Sequence, residues 1–159
     1  MKRALVAGGL VLALTLPNVA IWQKERTLAS GTPMLLELAP VDPRSLIQGD
    51  YMRLDYAIAR SINDQDGWPK DGLLVVRLDS VGVARFVRRH EPNAPLAAGE
   101  RLLRYRRRDQ RVRVGSDAFH FQEGSADHFA HARYGELRVD GKGTSVLVGL
   151  RDERRAPLR

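Results

Sequence analysis

Three sets of side chains in this sequence have the types and spacing to do chemistry. The first is acidic: Asp42, Asp50 and Glu123 come from separate segments, and carboxylates that a fold brings together can divide general-acid and general-base work, although sequence does not give their separation. The second is imidazole: His128 and His131 lie three apart, with His120 and Glu123 just upstream, and imidazole plus carboxylate suits zinc. The metalloprotease helix needs a glutamate between its two histidines, and Asp127 to His131 offers none, so no metal site is expected. The third is basic: Arg104, Arg106, Arg107, Arg108, Arg111 and Arg113 are interleaved with Tyr105, Asp109 and Val112. Two readings of that run stay open, solvated strand faces around a turn, or contact with lipid headgroups or an acidic partner.

Composition narrows the chemistry further. The chain has no cysteine, which removes disulfides, thiolate metal sites and cysteine nucleophiles. Its only lysines are Lys2, Lys24, Lys70 and Lys142, and none has a serine motif around it that would make a serine–lysine nucleophile. With 26 basic and 19 acidic residues the net charge is +7, and without Lys2 and Arg3 the remainder is 24 against 19, or +5. That excess is modest and does not point to nucleic acid. No catalytic residue and no cofactor is assigned on this basis.

The elements that must position these residues begin with a membrane-length apolar run. Met1-Lys2-Arg3 precedes an uncharged stretch from Ala4 to Trp22, whose 19 residues would make a helix ~28 Å long against a hydrocarbon core of ~30 Å. Small residues are poorly placed for signal cleavage, since Asn18-Val19-Ala20 puts Asn at −3 and Thr27-Leu28-Ala29 lies behind Lys24 and Arg26. The expectation is an uncleaved single-pass anchor, with a cleaved signal as the alternative. The basic N-terminus weakly places that end in the cytoplasm and the rest of the chain outside it, at the inner membrane. Residues 1–23 are then the anchor, 24–33 a polar linker and 34–159 an extracytoplasmic domain.

Beyond residue 33 the hydrophobic period shifts to two. Met34 to Leu38 reads as a strand, the prolines of Ala39 to Arg44 stop it, and Met52, Leu54, Tyr56 and Ile58 share one face of a half-buried strand. Asn63 to Gly72 reads as loop. Two hairpins resemble each other. Leu73 to Asp79 and Val83 to Arg89 flank Ser80-Val81-Gly82, as Glu136 to Asp140 and Thr144 to Leu150 flank Gly141-Lys142-Gly143. A two-fold internal repeat, 34–95 and 100–155, is one expectation from this, with chance likeness of glycine hairpins the other. Only Ser125 to Ala132 reads as a short helix in the domain. The fold class expected is all-β, a small sandwich or barrel-like domain, in one or two related lobes.

One phrase is specific. Gly49-Asp50-Tyr51-Met52-Arg53-Leu54-Asp55-Tyr56, with Asp42-Pro43-Arg44-Ser45-Leu46 before it and Phe121-Gln122-Glu123-Gly124 after, resembles the GDYXXLXY family of bacterial proteins. The resemblance covers most of the chain and implies a membrane-anchored domain found alongside a multi-pass membrane protein. It supplies no catalytic residues. From the residues themselves, Gly49 and Asp50 suit the turn into the strand, Leu54 and Tyr56 its core face, and Tyr51 with Asp42 and Arg44 a binding surface. Candidate binding residues are therefore Asp42, Arg44, Gly49, Asp50, Tyr51, Leu54, Tyr56, Glu123 and Gly124. The function expected is an accessory or scaffold subunit of a membrane complex, held by residues 4–22. The alternative is a periplasmic hydrolase using the acids of this region and Glu123.

Overall fold

The computed structural model describes residues 2–39, 47–48, 51–63, 67–109 and 111–158, and the side chains of 3–5, 7, 47, 48 and 63 fall outside that description. The chain begins with α1 (Lys2–Ser30), 29 residues and so ~43 Å of helix. Alanine and leucine favour it, and Pro17 interrupts its hydrogen-bond ladder, since proline has no N–H to give. The helix does not stop at Trp22. It runs through the segment expected to be a linker, because the Thr27 hydroxyl donates to the Gln23 carbonyl at 3.1 Å and that of Ser30 to Arg26 at 2.9 Å. Gly31 ends it. Its N–H donates to the Thr27 carbonyl at 2.9 Å, and a Cβ there would stand 3.0 Å from the Val139 nitrogen, so the helix meets the domain backbone to backbone. Among the described residues no helix is long and apolar enough to cross a membrane; the expected span from Ala4 to Trp22 starts on side chains outside that set.

The domain is β-rich. After β1 (Thr32–Glu37), β2 (Ile47–Gln48) and β3 (Tyr51–Arg53) comes α2 (Ala57–Asn63), then β4 (Asp71–Leu78) and β5 (Ala84–Arg89). The second half runs β6 (Glu100–Arg108), β7 (Arg111–Val114), β8 (Ala118–His120), α3 (Ala126–Phe129), β9 (Tyr134–Val139) and β10 (Ser145–Arg151), with β11 (Pro157–Leu158) at the end. Strands β1-β9-β10-β11 form one antiparallel sheet and β5-β4-β6-β7 another, with a smaller third sheet β2-β3-β8. Their inner faces meet in a core of Met34, Leu36, Leu74, Val76, Leu103, Tyr105, Leu137 and Leu150, each no more than 1% exposed.

Two expectations need correction. The half-buried strand ends at Arg53, and Ala57–Asn63 is helical rather than a continuation of it. Met52, Leu54, Tyr56 and Ile58 are all buried as alternation requires, but Ile58, Ala59 and Ile62 also follow the helical spacing, and they win from residue 57 on. The second concerns the helix expected over Ser125 to Ala132. It covers only Ala126–Phe129, and the domain holds a longer one, α2.

The two halves share the order strand, strand, strand, helix, strand, strand. Their hairpin turns also match bond for bond. The Asp79 carboxylate accepts from the Val81 and Val83 N–H groups, and that of Asp140 from Lys142 and Thr144. At each tip a glycine carbonyl reaches the first strand of its own half, which lies in the other large sheet: Gly82 accepts from the Leu35 N–H at 3.0 Å in β1, and Gly143 from Arg104 at 2.8 Å in β6. The first strand of each half pairs with the hairpin of the other, β1 with β9 and β6 with β4.

Candidate functional site

The Gly-Asp-Tyr phrase enters the molecule through β3. Gly49 and Asp50 lie outside the described residues, as do Asp42 and Arg44, so the loop expected to deliver them is not described. Tyr51 pairs with His120 of β8, and their rings stack at 5.7 Å. That pairing brings the later phrase alongside, because Phe121 to Gly124 continues directly from β8. Gly124 takes φ +82° in its turn and Glu123 is exposed beside it. Phe119 and Phe121 close on Phe129 of α3 at ring distances of 5.1 and 5.2 Å. The first phrase thus contributes Tyr51–Arg53 to the small sheet, and the second begins just past its strand β8.

Leu54 and Tyr56 turn inward. Tyr56 is 2% exposed, and its ring lies against two glycines: a Cβ at Gly135 would crowd it at 3.0 Å, and one at Gly115 would meet it at an ordinary contact distance of 3.5 Å. Its hydroxyl has no hydrogen-bond partner among the described residues. Burial, with the Asp117 carboxylate nearby, pushes its ionisation well above the ordinary value of 10.0, and the Ser116 backbone, close by without completing a bond, opposes this.

On the far side of Gly115 lies a groove of about 280 Å³. Arg104, Arg106 and Arg108 line it from β6, Arg113 from β7, Gly115 and Asp117 from the following turn, and Thr144 and Ser145 from the β9–β10 hairpin. The sequence explains the first set. Along β6 the exposed residues Arg104, Arg106 and Arg108 alternate with inward Leu103, Tyr105 and Arg107, whose guanidinium donates to the Trp68 carbonyl at 2.9 Å. The arginine run is therefore two strands around a turn, with Asp109 at φ +49°. Register sets Arg106 directly opposite Arg113 and Arg108 opposite Arg111, an arrangement of like charges that destabilises a strand pair. Arg113 is relieved by Asp117 at 3.0 Å and weakly by Asp109 at 3.9 Å, whereas Arg104, Arg106 and Arg108 make no ion pair among the described residues. Sequence reasoning missed Thr144, Ser145, Gly115 and Asp117 as groove residues. They arrive through the hairpin tip and a turn, which no local spacing announces.

A second depression, about 670 Å³, is lined by Trp68, Phe86, Arg88, Arg89, Glu91, Ala94 and Pro95, with Arg89 over the Trp68 ring at 5.8 Å. Beside it Glu100, 6% exposed, accepts from Arg88 at 2.9 Å and from the Ala97 N–H at 2.9 Å. The histidines do not converge. His131 lies past the end of α3, His128 packs edge-on against Phe129, and no group of three or more metal-type ligands occurs among the described residues.

A long helix thus leads into a β-rich domain in which Tyr56, three residues past β3, packs next to Gly115 of an arginine-lined groove. The chain belongs to the GDYXXLXY protein family, whose model matches residues 13–150 and so takes in the strand, the groove and the Phe-Gln-Glu-Gly turn. No curated protein and no solved structure matches it.

Proposed function

We propose that this protein is a membrane-anchored accessory or scaffold subunit, held by α1, whose β domain stands outside the cytoplasm beside a multi-pass membrane protein. One observation carries the reading. Leu10, Val11 and Leu12 are consecutive on α1 and 61%, 64% and 62% exposed, so this stretch of the helix shows apolar side chains on every side and finds no cover in the domain. A helix apolar all round needs an apolar surrounding. Supporting it, the polar residues within the run are satisfied locally, Thr15 on the Val11 carbonyl at 2.7 Å and Asn18 on that of Leu14 at 2.8 Å, as hydrocarbon requires. Trp22 carries Arg26 over its ring at 5.6 Å, a pair suited to the interface. The like ordering and matching turns of residues 34–95 and 100–155 support a domain made of two related lobes, each lending its first strand to the other.

The partner is tested by purifying the tagged full chain from native membranes in mild detergent and identifying what accompanies it by mass spectrometry. A multi-pass protein present in near-equal amount is the expected result. Recovery of the chain alone at every detergent strength contradicts the subunit role.

A further inference from the structure

We infer that the β6–β7 groove binds a phosphate-type oxyanion, free or borne on a lipid headgroup. Four guanidiniums, those of Arg104, Arg106, Arg108 and Arg113, face one carboxylate there, Asp117. Two strands that set Arg106 against Arg113 and Arg108 against Arg111 carry a repulsion which folding alone does not reward, and a bound dianion converts it into charge-assisted hydrogen bonds. The donors fit that chemistry. Guanidinium forks match phosphate oxygens in pairs, and the hydroxyls of Thr144 and Ser145 close the opposite wall with no hydrogen bond of their own among the described residues. Carboxylate ligands would gain from the same arginines but leave more of the donors unused.

The wall is held in place from two directions. The Gly143 carbonyl accepts from the Arg104 N–H at 2.8 Å, and a Cβ at Gly143 would crowd Leu73 at 3.0 Å and the Arg104 nitrogen at 3.1 Å, so the hairpin tip packs closely against β6. Gly115 forms the floor, and directly beneath it lies the buried, unpartnered Tyr56 hydroxyl. The groove also sits near the helix entry. Ser145 and Thr32 both pair with Val139, which places the groove wall two strand spacings, ~10 Å, from Thr32, the first strand residue after α1. The lipid source rests on the membrane reading of α1; the binding of phosphate itself does not.

The test uses the full chain in neutral detergent, titrated at constant ionic strength with inorganic phosphate, with short-chain phosphatidylglycerol below its micelle concentration, and with chloride as control. Saturable binding of phosphate or phosphatidylglycerol, followed by thermal shift, is expected, and chloride is expected to give none. Phosphatidylglycerol binding at least tenfold tighter than inorganic phosphate assigns a headgroup; equal or weaker binding assigns a free phosphate. In the variant Arg104→Gln/Arg106→Gln/Arg108→Gln the affinity falls at least tenfold while the ligand-free melting point stays the same or rises, since repulsion is removed. Arg106→Gln alone serves should the triple variant not fold, with at least a threefold loss expected. No saturable response to either phosphate probe, an equal response to chloride, or unchanged affinity in the folded variants overturns the inference. Because the chain is in detergent throughout, that failure is separate from any failure of α1 to anchor.

Discussion

Tyr56 shows how a single side chain links the motif to the groove. Its ring fills a gap between Gly115 and Gly135, but its hydroxyl meets no partner among the described residues. A buried hydroxyl left unsatisfied costs ~1–3 kcal/mol, so the ring, not the oxygen, explains why an aromatic stands here in the folded chain. Tyr56→Phe is therefore expected to leave stability unchanged or raise it by up to ~1 kcal/mol. The pH dependence follows from the direction of the shift. A phenol whose ionisation is raised in the folded state contributes stability that is intact below the ordinary value of 10.0 and is lost as pH rises toward the folded one, because only the unfolded chain ionises there. Thermal melts of the full chain in neutral detergent between pH 8 and about pH 11 should show wild type falling further than Tyr56→Phe. A loss above ~1 kcal/mol at neutral pH in the variant would mean that the hydroxyl has a partner after all.

At the scale of elements, β6 is fixed at one end by Glu100 and used at the other for its arginines. Glu100 is buried, accepts from Arg88 and Ala97, and has Arg77 at 3.8 Å. Arg88 already holds one buried nitrogen without a partner. Glu100→Ala strands the Arg88 charge, and because that side chain is 38% exposed the expected loss is ~2 kcal/mol, below the full value for a buried pair. A loss under ~0.5 kcal/mol, read from melts of the full chain in detergent, would show that the strand start is held by burial alone. How far such elements can be read in advance depends on whether their signal is local. The β4–β5 and β9–β10 hairpins were legible because Asp79 and Asp140 each sit three residues before a turn glycine and cap that turn with their carboxylates. The arginine run was legible as two strands for the same reason, alternation around Asp109. Helix α2 was not, since Met52, Leu54, Tyr56 and Ile58 alternate through the point where strand becomes helix. Nor was the groove, because Thr144 comes to line it beside Arg104 only through the docking of one large sheet on the other.

At the largest scale one long helix joins a β-rich domain in which β1 pairs with β9 and β6 with β4. The join is stiff: α1 continues unbroken past Trp22 to Ser30, Gly31 packs on the Val139 backbone, and Arg138 donates to the Gly31 carbonyl at 3.2 Å. Eight helical residues beyond Trp22 set the domain ~12 Å above the level of that ring. With the groove wall ~10 Å from Thr32, an arginine side chain there would come within reach of headgroups on the proposed membrane placement of α1. Everything at this scale depends on α1 lying in a bilayer. The most direct measurement is alkaline carbonate extraction of membranes from cells making the full chain, joined to protease treatment of intact spheroplasts. The account predicts that the uncut chain stays in the membrane pellet and that added protease removes the β domain. Full-length chain in the soluble fraction, or in the pellet but shielded from protease until the cells are lysed, would contradict it.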